Sequence, residues 1–178
     1  MATPDGTVAI RALVPSDVEA YRALRLEALA TSPEAFSSSH EEEATLSLEN
    51  FRARIPTAGC SAIFGACAGA ELVGMAGFAA NERLKQRHKG TLVGLFVRPQ
   101  WRGRGVGEQL VRHVIAHAAK HVLVLQATVV TSNHSARQMY HGLGFVPYGT
   151  ERKALCIDGA FHDDELLALD LGEACGAC

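Results

Sequence analysis

The period of the apolar positions changes along the chain, and each change marks an element. Val8–Leu13 has the character of a first strand. Ser16-Asp17-Val18-Glu19 then has the form of a capping box, a serine with a glutamate three positions on. It predicts a helix to about Ala30, stopped before Pro33. From Pro33 to Ile55 the chain is polar and then helical, with Ser47 as a cap and Phe51 and Ile55 on one face. Two strands follow, Ser61–Ala68 and Leu72–Ala79, around the turn Gly69-Ala70-Glu71. Asn81–Gly90 is charged and loop-like, and Thr91–Val97 is a short apolar run ending at Arg98-Pro99.

Beyond it, Val106, Leu110, Val111, Val114, Ile115 and Ala118 repeat at helical spacing. Val122–Val130 is a valine-rich and nearly unbroken apolar run, as a strand covered on both faces would be. Ser135–Leu143 reads as a short helix that Gly144 ends. Phe145–Ile157 and Phe161–Leu171 flank Asp158-Gly159, a strong hairpin signal. The order is strand, helices, three strands, helix, strand, helix, two strands. It predicts an α/β layered domain with a mixed sheet of about seven strands.

The 178 residues predict one domain, with its core at about 8–171 and a mobile tail at 172–178. No apolar run reaches membrane-spanning length. The first residues lack the basic flank and apolar block of an export signal. The expectation is therefore a cytoplasmic protein away from membranes. Its five cysteines show no disulfide framework, and the terminal Cys175-Gly-Ala-Cys178 reads as a frayed tail. A net charge of -2 argues against nucleic acid as partner, whose phosphates need a basic face, yet leaves room for a local anion pocket.

Such a pocket is the best reading of Arg102-Gly103-Arg104-Gly105-Val106-Gly107. This turn joins a predicted strand to a predicted helix. Main-chain N–H groups and the dipole at a helix start favour a phosphate there. Glycine lets the backbone approach closely, and Arg102 and Arg104 can add charge-assisted bonds. A P-loop would continue Gly-Lys-Ser/Thr, whereas Gly107 precedes Glu108. The dinucleotide turn is G-x-G-x-x-G, whereas this one is G-x-G-x-G.

The string Val97–Gly107 resembles the GNAT superfamily of N-acetyltransferases, whose hallmark Arg/Gln-x-x-Gly-x-Gly/Ala falls on Arg102, Gly105 and Gly107. Asn133, Ala136 and Tyr140, followed by Leu143-Gly144-Phe145, resemble the family's second hallmark. The resemblance covers about Val8 to Leu171. It implies a GNAT-like α/β fold, a mixed and mostly antiparallel central sheet flanked by helices and splayed around an acetyl-CoA slot. It implies an acetyl-CoA-dependent enzyme that passes the acetyl group directly to a primary amine on a small molecule or a protein. By the same analogy the main chain of Gly103, Arg104, Gly105, Val106, Gly107 and Glu108 holds the CoA pyrophosphate. Leu95, Phe96 and Val97 pair with pantetheine, and the Phe96 N–H polarises the thioester carbonyl. Gly94 would sit near the splay. Asn133 contacts the cofactor arm or caps its helix. Tyr140 protonates the departing thiolate.

The amine also needs a base, since its ordinary pKa lies near ~10.4. Relatives often carry a Glu on the strand before the glycine turn or on the strand after its helix. Neither Lys89–Val97 nor Val122–Ser132 contains an acid, and Thr91 and Thr128 stand at the positions of interest. Glu27, the run Glu41–Glu43 and His88 are the alternatives, although adjacent glutamates usually form a solvated face. Glu27, Glu41, Glu42, Glu43, Asp163, Asp164 and Glu165 together point to a cationic acceptor. The missing strand acid also motivates a second reading, a non-catalytic acyl-CoA sensor. His113, His117 and His121 recur every four residues, but the apolar stripe of that helix predicts that they face solvent rather than a metal. No metal is expected, and a homodimer is compatible with the reading.

Overall fold

The computed structural model describes residues 7–172. The expectations for residues 1–6 and for most of the tail, Cys175 and Cys178 included, fall outside them. The chain runs β1 (Val8–Ala12), α1 (Val18–Thr31), α2 (His40–Ala44), α3 (Leu48–Ala53), β2 (Ala62–Ala68), β3 (Glu71–Ala80) and β4 (Lys89–Val97). It continues with α4 (Val106–Ala118), β5 (Val124–Val130), α5 (His134–Gly142), β6 (Val146–Ile157) and β7 (Ala160–Asp170). The predicted order holds throughout.

One seven-stranded sheet has the order β1-β2-β3-β4-β5-β7-β6. Its strands pair antiparallel except β4 with β5. A helix separates those two, so the second strand can return in the same direction. Asp158 and Gly159 both have positive φ, as a two-residue hairpin turn between β6 and β7 requires.

Helices cover both faces. Val106, Leu110, Val111, Val114 and Ala118 of α4 are buried against Phe64, Phe78, Leu92, Leu125 and Leu167. On the other face Val18, Tyr21, Leu24 and Ala28 of α1 pack with Phe51, Ile55, Met75 and Phe96. Each buried large side chain contributes roughly 1.5–3 kcal/mol, so two continuous layers give the sheet a firm scaffold.

Several expectations change in detail. Ser16 does not cap α1. Pro15–Asp17 forms a 3-10 turn that leaves Asp17 at the N-cap, and its carboxylate turns back to accept from the Val14 N–H at 2.8 Å and from Arg11. Ser47 does cap α3, accepting from Asn50 N–H. β4 begins at Lys89 rather than Thr91, and β5 at Val124 rather than Val122. His117 does not face solvent. Its ring packs on Phe64 and Phe78, and its Nε2 lies 2.7 Å from the Cys60 carbonyl. Among the described residues no cluster of side chains suits a metal ion. Cys67 and Cys156 are free thiols.

Candidate active site

The site begins with a failure of pairing. β4 and β5 share only three register pairs, the last joining Thr91 to Gln126. Beyond it the two strands part. On the β3 side, Met75 stands opposite Phe96 and Gly77 opposite Val93, so β4 carries one extra residue across this step. Gly94 supplies the bulge, with φ of +64°. The reading of Gly94 as the point of splay agrees with this geometry.

A cavity of about 810 Å³ occupies the opening. Leu95, Phe96 and Val97 line one wall, and Val129, Val130, Asn133 and Tyr140 another. Gly107, at the start of α4, also lines it. The glycine turn therefore opens into the slot. Gly103 and Gly105 have φ of +73° and +74°, a left-handed backbone in which any side chain would be strained. Gln109 makes the first intrahelical bond, to the Gly105 carbonyl at 2.9 Å. The N–H groups of Val106, Gly107 and Glu108 thus project from the helix end, where the dipole is positive.

The arginines of the turn behave differently from expectation. Arg102 turns back, donating to the Val97 carbonyl at 2.8 Å and to Ser32 Oγ at 3.1 Å. It ties the turn to β4 and to the end of α1. Arg104 lies over the Trp101 ring, and Trp101 is buried as an anchor. Glu108 is exposed and pairs with Arg112.

Asn133 caps α5, its Oδ1 accepting from Ala136 N–H at 3.1 Å. Tyr140, in the last turn of α5, is 4 % exposed and packs edge-on against Phe145. Burial pushes its hydroxyl well above the ordinary phenol value of 10. Arg137 and His141 of α5 both bond Glu165 of β7, at 2.8 and 3.1 Å, which fixes α5 against the sheet.

The carboxylates deemed candidates for the base are engaged elsewhere. Glu27 does not line the cavity. Arg98 binds it at 2.8 Å and also holds Glu71. Glu43 is not part of a solvated face. It is 3 % exposed and accepts from Arg25 and Arg54, at 2.8 and 2.7 Å. Glu42 closes a capping box on Ser39, and Glu41 and His88 are exposed and do not line the cavity. Thr91 and Thr128 do line it. So do two acids that composition had given only as part of a general acidic character or not at all, Asp164 and Glu34. An acid on the slot-facing side of a strand was the available signal for Asp164.

A bulged strand, a splayed parallel pair and a glycine turn at one helix start thus meet around a single cavity. The model of the acetyltransferase (GNAT) family matches residues 21–145, which hold both hallmarks, and the chain belongs to that family. Its members take the acetyl group from acetyl-CoA. No curated protein sequence matches the chain. Among solved structures it is similar to a GNAT-family acetyltransferase from Streptococcus pneumoniae, at 22% identity and a TM-score of 0.81, covering 93% of this chain and 100% of that one. It is similar to yncA of Salmonella typhimurium, a structure with its cofactor acetyl-CoA, at 19% identity and a TM-score of 0.81, covering 95% and 96%. It is also similar to the ribosomal-protein-S18-alanine N-acetyltransferase of Escherichia coli, at 21% identity and a TM-score of 0.70, covering 94% and 96%. At these identities the likeness shows the fold. Among the described residues no helix is long and apolar enough to cross a membrane.

Proposed function

We propose that this enzyme, with residues 8–171 as one catalytic domain, moves the acetyl group of acetyl-CoA directly to a primary amine while both substrates are bound. The observation that carries the reading is the slot between β4 and β5, which has the glycine cradle and Tyr140 on the same cavity. In this reading the main chain from Gly103 to Glu108 receives the pyrophosphate. Leu95 to Val97 offer strand-like pairing to the pantetheine amides, and the Phe96 N–H faces the thioester carbonyl, where negative charge develops. Asn133 keeps its cap and borders the cofactor arm.

Tyr140 donates its proton to the departing sulfur. Its raised pKa does not disqualify it. A desolvated thiol is shifted upward by the same burial, so donor and acceptor remain matched. The hydroxyl also stays protonated across the neutral range, as an acid must. Glu34 and Asp164 on the cavity wall favour a cationic acceptor over an anionic one, while Arg25 and Arg54 are drawn onto Glu43 and Arg102 onto the Val97 carbonyl and Ser32. A slot furnished with an acid, a base-type carboxylate and an acceptor wall favours catalysis over a sensor role.

The test is thiol release from acetyl-CoA across a panel of amines, amino acids and peptide N-termini. Tyr140→Phe should lower kcat by about 100-fold or more, the usual contribution of a positioned acid. The Kd for acetyl-CoA should stay nearly constant. Unchanged turnover in Tyr140→Phe overturns the acid assignment, and acetyl-CoA binding without transfer to any amine overturns the enzymatic reading.

A further inference from the structure

β7 lies between β5 and β6, so its residues sit well inside the sheet. Asp164 stands opposite Val130 of β5 and Glu151 of β6, and Leu166 stands opposite Thr128. Directly opposed residues of an antiparallel pair share a face, as do residues two apart on one strand. Asp164, Val130, Thr128 and Leu166 therefore share one face. Glu165 points to the other, where it meets Arg137 and His141 of α5. The Asp164 face is the side of the sheet away from α4 and α5, the side that α1 covers, and Tyr21 and Phe36 of that side line the same cavity.

Oδ1 of Asp164 is buried and has no hydrogen-bond partner. An unsatisfied buried carboxylate oxygen costs about 1–3 kcal/mol, and it makes this cavity-lining carboxylate readier to take up a proton than one in water. Burial first, then the charge of Glu151, push its pKa above the ordinary 3.8; His162 opposes them and Asp163 adds a smaller push. Glu34 is the other acid on the cavity. Its 3-10 turn, Pro33–Ala35, packs against β5 and β6. Three arginines line the cavity: Arg25 and Arg54 share Glu43, and Arg102 donates to the Val97 carbonyl and Ser32 Oγ.

Resting on the amine-transfer reading above, we infer that Asp164 is the catalytic base, the group that binds the acceptor's ammonium and removes its proton. The carboxylate takes one proton from R–NH3+. The freed lone pair forms the N–C bond to the thioester carbonyl carbon, and the C–S bond breaks. Sulfur takes the Tyr140 proton, the second proton on nitrogen restores the tyrosine hydroxyl, and Asp164 passes its proton to solvent. The products are an amide, CoA thiol and one H+. This assignment explains why β4 and β5 carry threonines where an acid was sought. The acid comes from the next strand of the sheet, which is distant in sequence.

The experiment compares wild type and Asp164→Asn with two acceptors at pH 7. One is an alkylamine, protonated at that pH, and the other is methoxyamine, which is neutral. Acetyl-CoA affinity by calorimetry checks that the variant is folded. The variant should lose about 100-fold or more in kcat/KM with the alkylamine, and far less with methoxyamine, which needs no prior deprotonation. Formate should restore part of the alkylamine activity to Asp164→Ala. Equal losses with both amines, or no loss with the alkylamine, overturn the assignment of Asp164 alone. A wild type that transfers to neither amine nor any other in the panel overturns the amine-transfer reading, and this assignment with it.

Discussion

Glu43→Gln tests the electrostatics that shape the rim of the slot. The carboxylate is 3 % exposed and bonds Arg25 at 2.8 Å and Arg54 at 2.7 Å. Burial by itself would raise its pKa, but the bonds from Arg25, Ser38 and Arg54 prevail and hold it down to about 2, from an ordinary 4.5. A depressed carboxylate pKa contributes stability above its ordinary value, and that contribution is lost as pH falls from about 4.5 toward 2. At about 1.4 kcal/mol per pH unit, the gap corresponds to about 3 kcal/mol. Removing one partner of a buried ion pair costs about 3–5 kcal/mol by a separate route. The lower end applies here, because the Arg54 side chain is 36% exposed and can be rehydrated. Glu43→Gln should therefore lose about 3 kcal/mol at pH 7, read as a lower midpoint in urea, which leaves ion pairs unscreened. The difference from wild type should shrink below pH 4 and nearly vanish at pH 2. A loss under about 1 kcal/mol at pH 7, or a gap of constant size down to pH 2, refutes the reasoning.

Two further outcomes follow from the backbone. A Cβ on Gly90 would lie 2.2 Å from Phe78 Cε2 and 3.1 Å from the Ala79 carbonyl, and Phe78 is 2% exposed. Gly90→Ala should cost about 1–3 kcal/mol in urea unfolding, and Phe78→Leu in the same chain should recover part of it. At Gly105 a Cβ would meet only Gln109 Nε2, at 3.9 Å, but φ is +74°, so Gly105→Ala should cost only about 1–2 kcal/mol of stability. Its larger effect should be on acetyl-CoA affinity, weakened at least about tenfold in calorimetry as the N–H groups of the cradle turn away.

Much of the candidate site's backbone was legible because its motifs are local. Arg102 to Gly107 and Asn133 to Tyr140 each lie within a turn or two of one helix, so spacing alone orders their backbone. Gly94 was legible for the same reason, as a glycine in a strand signals a bulge. The side chains of Arg102, Glu43 and His117 were not. A guanidinium is as suited to a carbonyl and a serine as to a phosphate, and the partner depends on what the fold brings near. Three adjacent glutamates read as solvated until Arg25 and Arg54, from α1 and the end of α3, close on the third of them.

The sequence by itself determined the order of elements, the hairpin at Asp158-Gly159, the glycine cradle and the candidate acid Tyr140. These depend on periodicity, backbone freedom and short spacings, all local properties. Tertiary structure alone decided that β7, rather than β6, pairs with β5. That choice sets Asp164 beside Val130, on the wall of the slot, and Glu165 behind it against α5. A strand's period of two states which residues share a face, but only its neighbours in the sheet determine what that face meets.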